Sequence, residues 1–163
     1  MRTLVAGFGN VLRGDDGFGV AVVRQLELSG SAPAGTVLLE VGTGGVALAQ
    51  ALLTPYERLI VVDAMVRDGA PGRLYVLRVE TVEALRSVDM HMAVPSRALG
   101  LAQALGVLPA EVFLVGCEPG EVEELTMDLS PAVGQTVVAA VRAIEALLAV
   151  ETPPMVSGGP VRA

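Results

Sequence analysis

The chain of 163 residues is long enough for one domain with a substantial core, and its 52% hydrophobic content and mean hydropathy of +0.60 exclude a disordered chain. A single cysteine excludes a disulfide framework and a zinc site of several thiolates. Acidic residues outnumber basic ones by 18 to 11, and the basic residues, all arginine, form no run. We therefore expect no nucleic-acid partner.

Strand-like and helix-like segments alternate along the chain. The predicted strands are residues 3–7, 36–41, 58–63, 73–79 and 111–116, and the predicted helices are residues 17–28, 46–53, 96–105 and one from Ser130 onward. About ten residues without a helix precede the fourth strand, which predicts an antiparallel pairing there. The alternation predicts an α/β sandwich with a mostly parallel, buried sheet.

The two ends of the chain differ in composition. We expect one domain over residues 1–150, with residues 151–163, rich in proline and glycine, as a flexible tail. The apolar stretch from Thr136 to Val150 contains Arg142 and Glu145 and is too short for a membrane span. No signal peptide is evident after Met1, which predicts a cytoplasmic protein, and we expect a monomer.

Four loops follow predicted strands at the edge of the sheet where ligands bind in this class of fold: residues 7–16, 40–45, 63–65 and 116–129. The first loop resembles a dinucleotide-binding turn. Its glycine spacing is G-x-G-x-x-x-x-G, however, and Asp15 and Asp16 would repel a pyrophosphate.

Three residues on these loops carry the main chemical hypothesis. Asp15 is assigned to the cap of the following helix, which leaves Asp16 to face the cleft. Asp63 ends an apolar strand and is either a ligand-facing acid or a turn-forming residue. His91 is the only histidine and lies on a predicted loop. Together Asp16, Asp63 and His91 are a ligand set for a divalent transition metal with open positions.

Other candidates favour structural interpretations. Cys117 is either a nucleophile paired with His91 or a small buried residue, and the second is favoured. A solvated loop is expected for the acids after it, namely Glu118, Glu121, Glu123, Glu124 and Asp128. Gly42 to Gly45 form either a tight turn or a place where a peptide backbone approaches closely.

The motif Gly7-x-Gly9-Asn10-x-Leu12-x-x-Asp15-Asp16-Gly17-x-Gly19 resembles the N-terminal signature of the hydrogenase maturation proteases. The resemblance extends from Thr3 to Leu148. It continues through Gly42-Thr43, Asp63-Ala64, His91, Gly116-x-Glu118-Pro119 and Leu129-Ser130-Pro131-x-Val133.

This resemblance implies a three-layer α/β/α sandwich around a five-stranded twisted sheet. It also implies an endopeptidase that removes a C-terminal peptide from the large-subunit precursor of a nickel-iron hydrogenase. Nickel is then supplied by the precursor, and no organic cofactor is needed. By their places in the motifs, Asp16, Asp63 and His91 are the metal-contacting and catalytic residues, and Gly42, Thr43, Gly44 and Gly45 recognise the substrate.

The chain departs from the family pattern at two places. Asp89, Met90 and Met92 around His91 are atypical, and Val41-Gly42-Thr43 replaces the usual Gly-Gly-Thr. Two alternative functions remain at this stage. One is a small-ligand or nucleotide-binding module with Glu40 as a ribose-binding acid, and the other is a related protease that acts on another substrate.

Overall fold

The computed structural model describes residues 1–83, 93–120 and 122–150. Its strands are β1 (Thr3–Phe8), β2 (Thr36–Gly42), β3 (Arg58–Ala64), β4 (Leu74–Arg78) and β5 (Glu111–Cys117). The described helices that are longer than four residues are α1 (Phe18–Ser29), α2 (Val46–Ala51), α3 (Ala93–Ala104) and α4 (Pro131–Ala149). The predicted tail, residues 151–163, lies outside the described residues.

The strands form one sheet in the order β2-β1-β3-β5-β4. Neighbouring strands are parallel except for β4, which is antiparallel to β5. The connection from β3 to β4, residues 65–73, contains no helix. Because a parallel strand needs a long crossover connection, this short link favours the antiparallel edge strand. The predicted five-stranded, mostly parallel sheet is confirmed.

Helices cover both faces of the sheet. Alternate residues along the central strands face opposite sides, as the period of two requires. Leu59 and Val61 of β3 belong to a core that includes residues of α2 and α3, whereas Ile60 and Val62 belong to a core shared with α1 and α4. The molecule is therefore the expected three-layer α/β/α sandwich.

The helix starts correct two details of the prediction. Gly14–Gly17 form a 3-10 turn, and α1 begins at Phe18 without a side-chain cap, so the assignment of Asp15 to that cap is wrong. α3 begins at Ala93, three residues before the predicted start. α4 begins at Pro131, directly after Ser130, which agrees with the predicted helix from Ser130 onward, and the Ser130 side chain makes no capping hydrogen bond.

Among the described residues, only α4 is long and apolar enough to pass a length-and-composition test for a membrane span. Its buried residues Val133, Ala140, Val141 and Ile144 join the core shared with α1 and the sheet. A stripe of apolar residues on one side is what a core helix of an α/β sandwich requires.

Two glycines let α1 lie directly on the backbone of the sheet. A Cβ atom at Gly19 would lie 2.2 Å from the Val62 carbonyl oxygen and 2.4 Å from the Phe8 carbonyl oxygen. A Cβ atom at Gly7 would lie 2.5 Å from the Gly19 carbonyl oxygen. Since no side chain fits between these elements, both positions require glycine, and together they fix the distance between α1 and strands β1 and β3.

We expect Gly19→Ala to lower the free energy of unfolding by at least about 2 kcal/mol, because its methyl group would overlap two carbonyl oxygens. Gly134→Ala is the matched control. Gly134 also lies in a helix, and a Cβ atom there would meet nothing within 4 Å. That substitution should raise the free energy of unfolding by about 0.5 to 1 kcal/mol. Urea unfolding of both variants measures the difference, and equal stabilities would contradict the packing described here.

Candidate active site

Three loops meet at Gly9, at the carboxyl edge of the sheet. The Gly9 N–H donates to the Gly42 carbonyl oxygen at 2.9 Å. A Cβ atom at Gly9 would lie 1.8 Å from the backbone oxygen of Asp16 and 3.4 Å from Oδ1 of Asp63. Gly9 also has a φ of +121°, which side chains rarely adopt. Gly9 therefore lies where three segments meet, as the sequence predicts: those of Asp16 and Asp63 and the start of the Gly42–Gly45 loop.

Asp63 lies near the end of β3, with 6% of its surface exposed. Its Oδ1 accepts the N–H of Ala64 at 2.8 Å. By strand alternation Asp63 shares the face of Leu59 and Val61, which α2 and α3 cover. The local hydrogen bond fits a turn-forming aspartate, and the position at the strand end fits a ligand-facing one, so the two interpretations are compatible.

Asp16 is half-buried at the end of the first loop. Its Oδ2 accepts the N–H of Asn10 at 2.9 Å, and the Asn10 side-chain oxygen accepts the N–H of Leu12 at 2.9 Å. These bonds close the loop on itself and fix the orientation of the Asp16 carboxylate. A half-buried carboxylate oriented in this way is pre-organised to contact a ligand.

Asp15 has a structural task that the sequence did not reveal. It is fully buried, and its oxygens accept hydrogen bonds from Ser130 N–H at 2.7 Å, Ser130 Oγ at 2.8 Å and Gly120 N–H at 2.8 Å. Asp15 therefore joins the first loop to the loop after β5 and to the start of α4. Because a buried carboxylate needs such donors, these bonds fix the loops on which Asp16 depends.

The sequence predicts that Glu118 lies in a solvated loop, and that prediction is wrong. Its side chain is buried and accepts hydrogen bonds from Arg67 N–H at 2.9 Å, Gly69 N–H at 2.6 Å and the Tyr75 hydroxyl at 2.9 Å. Burial and the bond to Glu118 raise the pKa of Tyr75, which keeps its hydroxyl protonated as a donor. Glu118 thereby holds the connection between β3 and β4, directly after Asp63 and Ala64.

The third predicted metal ligand, His91, lies outside the described residues. Within residues 1–83, 93–120 and 122–150, no three His, Cys, Asp or Glu side chains are grouped so that they could hold a metal ion. The structure brings the segments of Asp16 and Asp63 together at Gly9, and the role of the two carboxylates as metal ligands stays a prediction. Two carboxylates supply the oxygen donors of such a set, and a third ligand has to come from elsewhere.

A cavity of about 260 Å³ opens beside Gly9. Asn10, Glu40, Gly42 and Thr43 contribute to its walls. Glu40, the acid that the nucleotide-binding alternative assigned to a ribose, forms an ion pair with Arg24. This pairing occupies the carboxylate and makes that alternative less suitable.

Cys117 at the end of β5 is fully buried. Burial, together with the negative charges of Asp15 and Glu118, raises the pKa of its thiol to about 11. A nucleophilic cysteine needs a lowered pKa and access to the substrate. The structural interpretation of Cys117 as a small buried residue is therefore the better one.

We expect the Cys117 thiol of the folded chain to react with Ellman's reagent at pH 8 at least about a hundredfold more slowly than the urea-unfolded chain, because few of the buried thiols are ionised. The raised pKa also stabilises the fold below about pH 9, and this contribution disappears as the pH rises through about 11. Cys117→Ala, which lacks the thiol, is the control for the pH series. Rapid labelling of the folded chain would restore the nucleophile hypothesis.

Comparison with known proteins places the chain in a family. The family model described as hydrogenase maturation protease matches residues 20–147. The hydrogenase expression/formation protein HupD of Rhodobacter capsulatus is 37% identical over 152 residues, which cover 91% of this chain and 72% of that protein. The hydrogenase 2 maturation protease of Escherichia coli K12 is 34% identical over 126 residues, 76% of each chain.

Solved structures agree with this placement. The hydrogenase maturating endopeptidase HybD from E. coli matches with a TM-score of 0.80 at 32% identity, over 91% of this chain and 93% of that one. The NiFe hydrogenase maturation protease HybD from Thermococcus kodakarensis matches with a TM-score of 0.78 at 32% identity, over 91% and 99%. With its fold, its first-loop motif and these similarities in agreement, the chain belongs to the hydrogenase maturation protease family.

Proposed function

We propose that this protein is an endopeptidase that removes the C-terminal peptide from the nickel-loaded large-subunit precursor of a nickel-iron hydrogenase. The observation that carries the proposal is the meeting at Gly9 of the segments of Asp16 and Asp63 with the start of the glycine-rich loop. Membership of the protease family supplies the reaction class. The nickel belongs to the precursor and is part of the substrate.

The chemistry assigns separate tasks to the residues of the site. Hydrolysis adds water across one peptide bond, so a group must accept a proton from the water and the leaving nitrogen must gain one. Asp16 and Asp63 supply carboxylate oxygens for the metal or for that proton, and His91 completes the ligand set in this proposal. Since three protein ligands leave positions open, the precursor's nickel can keep its own ligands while it engages the site.

The glycine-rich loop is assigned to recognition of the precursor. Gly42 has a φ of +66°, and its carbonyl oxygen accepts the hydrogen bond from the Gly9 N–H, so the backbone of the turn favours glycine there whether or not it also contacts a peptide. Gly44 differs from it. A Cβ atom at Gly44 would meet nothing within 4 Å, and its φ is not in the left-handed range. Because neither packing nor backbone geometry requires glycine at this position, a closely approaching peptide backbone explains it.

We expect Asp16→Ala and Asp63→Asn each to slow processing of nickel-loaded precursor by at least about a hundredfold, because each removes a carboxylate from the site. Asp128→Asn, which removes an exposed carboxylate from the loop after β5, is the matched control and should process at the normal rate. Intact mass of the large subunit over time measures the loss of the C-terminal peptide.

The same assay tests the requirement for nickel. Precursor without nickel should stay uncleaved by the unchanged protein, since the metal is the feature that engages the site. Normal processing by folded Asp16→Ala or Asp63→Asn would refute the assignment of the carboxylates. Cleavage of nickel-free precursor at the same rate would refute nickel recognition alone.

We expect Gly44→Val to leave the free energy of unfolding within about 0.5 kcal/mol of the unchanged protein but to raise the KM for precursor by about tenfold or more, because the side chain would occupy the space of the peptide. Gly134→Ala controls for glycine replacement remote from the loop and should leave KM unchanged. An unchanged KM in Gly44→Val would show that no peptide passes close to Gly44.

A further inference from the structure

A second cavity of about 260 Å³ lies between the glycine-rich loop and α3. We call it the α2–α3 groove, and it is lined by Thr43, Val46, Val94, Arg97, Ala98 and Leu101. The four residues from α3 are spaced by three, four and seven positions from Val94, so they lie along one side of the helix. Gly45 lets the loop come close, because a Cβ atom there would lie 3.0 Å from Cβ of Ala98.

Three aliphatic side chains in the walls of the α2–α3 groove are exposed. Val46 is 62% exposed, Leu101 43% and Val94 37%. Ala98, which also lines the groove, is buried in the core together with Leu99 and Ala102, so α3 is anchored beneath these exposed side chains. Aliphatic side chains that converge on a concave surface are typical of a site that receives another apolar side chain.

Among the residues that the structure describes, Arg97 is the one charged residue that lines the groove. The segments that form the walls, residues 41–51 and 93–104, contain no aspartate or glutamate in a chain with 18 of them. Most arginines in the described ranges face a carboxylate or an aromatic ring, for example Arg24 with Glu40 and Arg73 with Tyr75. Exposed Arg97 faces neither within those ranges.

The groove is continuous with the candidate active site. Thr43 lines both the α2–α3 groove and the cavity beside Gly9. Gly42, the preceding residue, accepts the hydrogen bond from Gly9, where Asp63 Oδ1 also lies close. A peptide in extended conformation could therefore pass from the two carboxylates over Thr43 into the groove.

We propose that the α2–α3 groove binds an aliphatic side chain of the cleaved peptide and that Arg97 pairs with a carboxylate next to that side chain. The identity of the peptide rests on the proposed function. The apolar walls select the aliphatic group, and the guanidinium offers paired N–H donors that match a carboxylate. The carboxylate is either an acidic side chain or the terminal carboxylate of the chain.

Binding of small probes tests the groove without any precursor. N-acetyl-leucine carries the aliphatic group and the carboxylate, whereas N-acetyl-leucinamide lacks the charge. We expect methyl NMR shifts at Val46, Val94 and Leu101, with binding of the acid about fivefold tighter than that of the amide. Arg97→Gln should remove this difference.

Arg142→Gln is the matched control, because Arg142 is an exposed helical arginine that likewise faces no carboxylate or ring within the described ranges. It should keep the preference for the acid. Equal binding of acid and amide by the unchanged protein would overturn the proposal. Shifts confined to other methyl groups, or an equal effect of Arg142→Gln, would also overturn it.

A second pair of probes separates the two carboxylate sources. N-acetyl-Leu-Asp-amide presents an acidic side chain, and N-acetyl-Ala-Leu presents a terminal carboxylate. Tighter binding of one, abolished by Arg97→Gln, identifies the source. If Arg97→Gln bound each of the two probes as tightly as the unchanged protein does, the role of Arg97 would be refuted.

Processing assays then distinguish the groove from the proposed function. Arg97→Glu should raise the KM for precursor by about tenfold. If the probes identify an acidic side chain as the partner of Arg97, replacing that acid of the C-terminal peptide by lysine should reverse the loss. Arg97-dependent binding of the probes without any cleavage of precursor would leave the groove in place and refute the proposed function. Cleavage with an unchanged KM in Arg97→Glu would refute the groove alone.

Discussion

The contact of α1 with the backbone of β1 and β3 is the constraint on which the site depends. Gly19 lies against the carbonyl oxygens of Val62 and Phe8, one residue before Asp63 and Gly9 respectively. Any side chain at Gly19 would push the start of α1, and Asp16 with it, away from these strand ends. The same close approach that stabilises the core therefore sets the separation of the two carboxylate-bearing segments.

Two buried carboxylates make this arrangement rigid. Asp15 bonds to the loop after β5 and to the start of α4, and Glu118 bonds to the connection after β3. A buried carboxylate with fewer donors would be costly, so each loop is held in the conformation that supplies them. The adjacent acids Asp15 and Asp16 therefore differ in role. Asp15 fixes the loops, whereas Asp16 stays half-buried and accessible to a ligand.

The periodicity of the sequence was sufficient to predict the strands, the two faces of the sheet and the loops that form the site. It predicted that the segments of Asp16 and Asp63 lie at the same edge, because the carboxyl ends of parallel strands meet there, and the catalytic role of the two residues stays a prediction. It could not reveal the roles of Asp15 and Glu118, because their hydrogen-bond donors are distant in sequence. Ser130 lies 115 residues from Asp15, and the donors to Glu118 lie 43 to 51 residues from it. The sequence analysis did not single out Arg97, to which we assign a binding role, although its position within an acid-free segment of an acidic chain is a usable signal.

The two acid-free segments that form the groove, residues 41–51 and 93–104, differ in charge from the rest of a chain whose net charge is -7. The net negative charge repels an acidic peptide on average, and in the proposed function the precursor's nickel would offset the charge of the two carboxylates. Arg97 is a local exception beside the same site. Because the field of Arg97 is screened over about 8 to 10 Å at physiological salt, in the proposed binding mode it would act on groups that have already entered the groove. Metal and carboxylate would then be recognised at two ends of one peptide, and a substrate that lacked either would lose part of its binding.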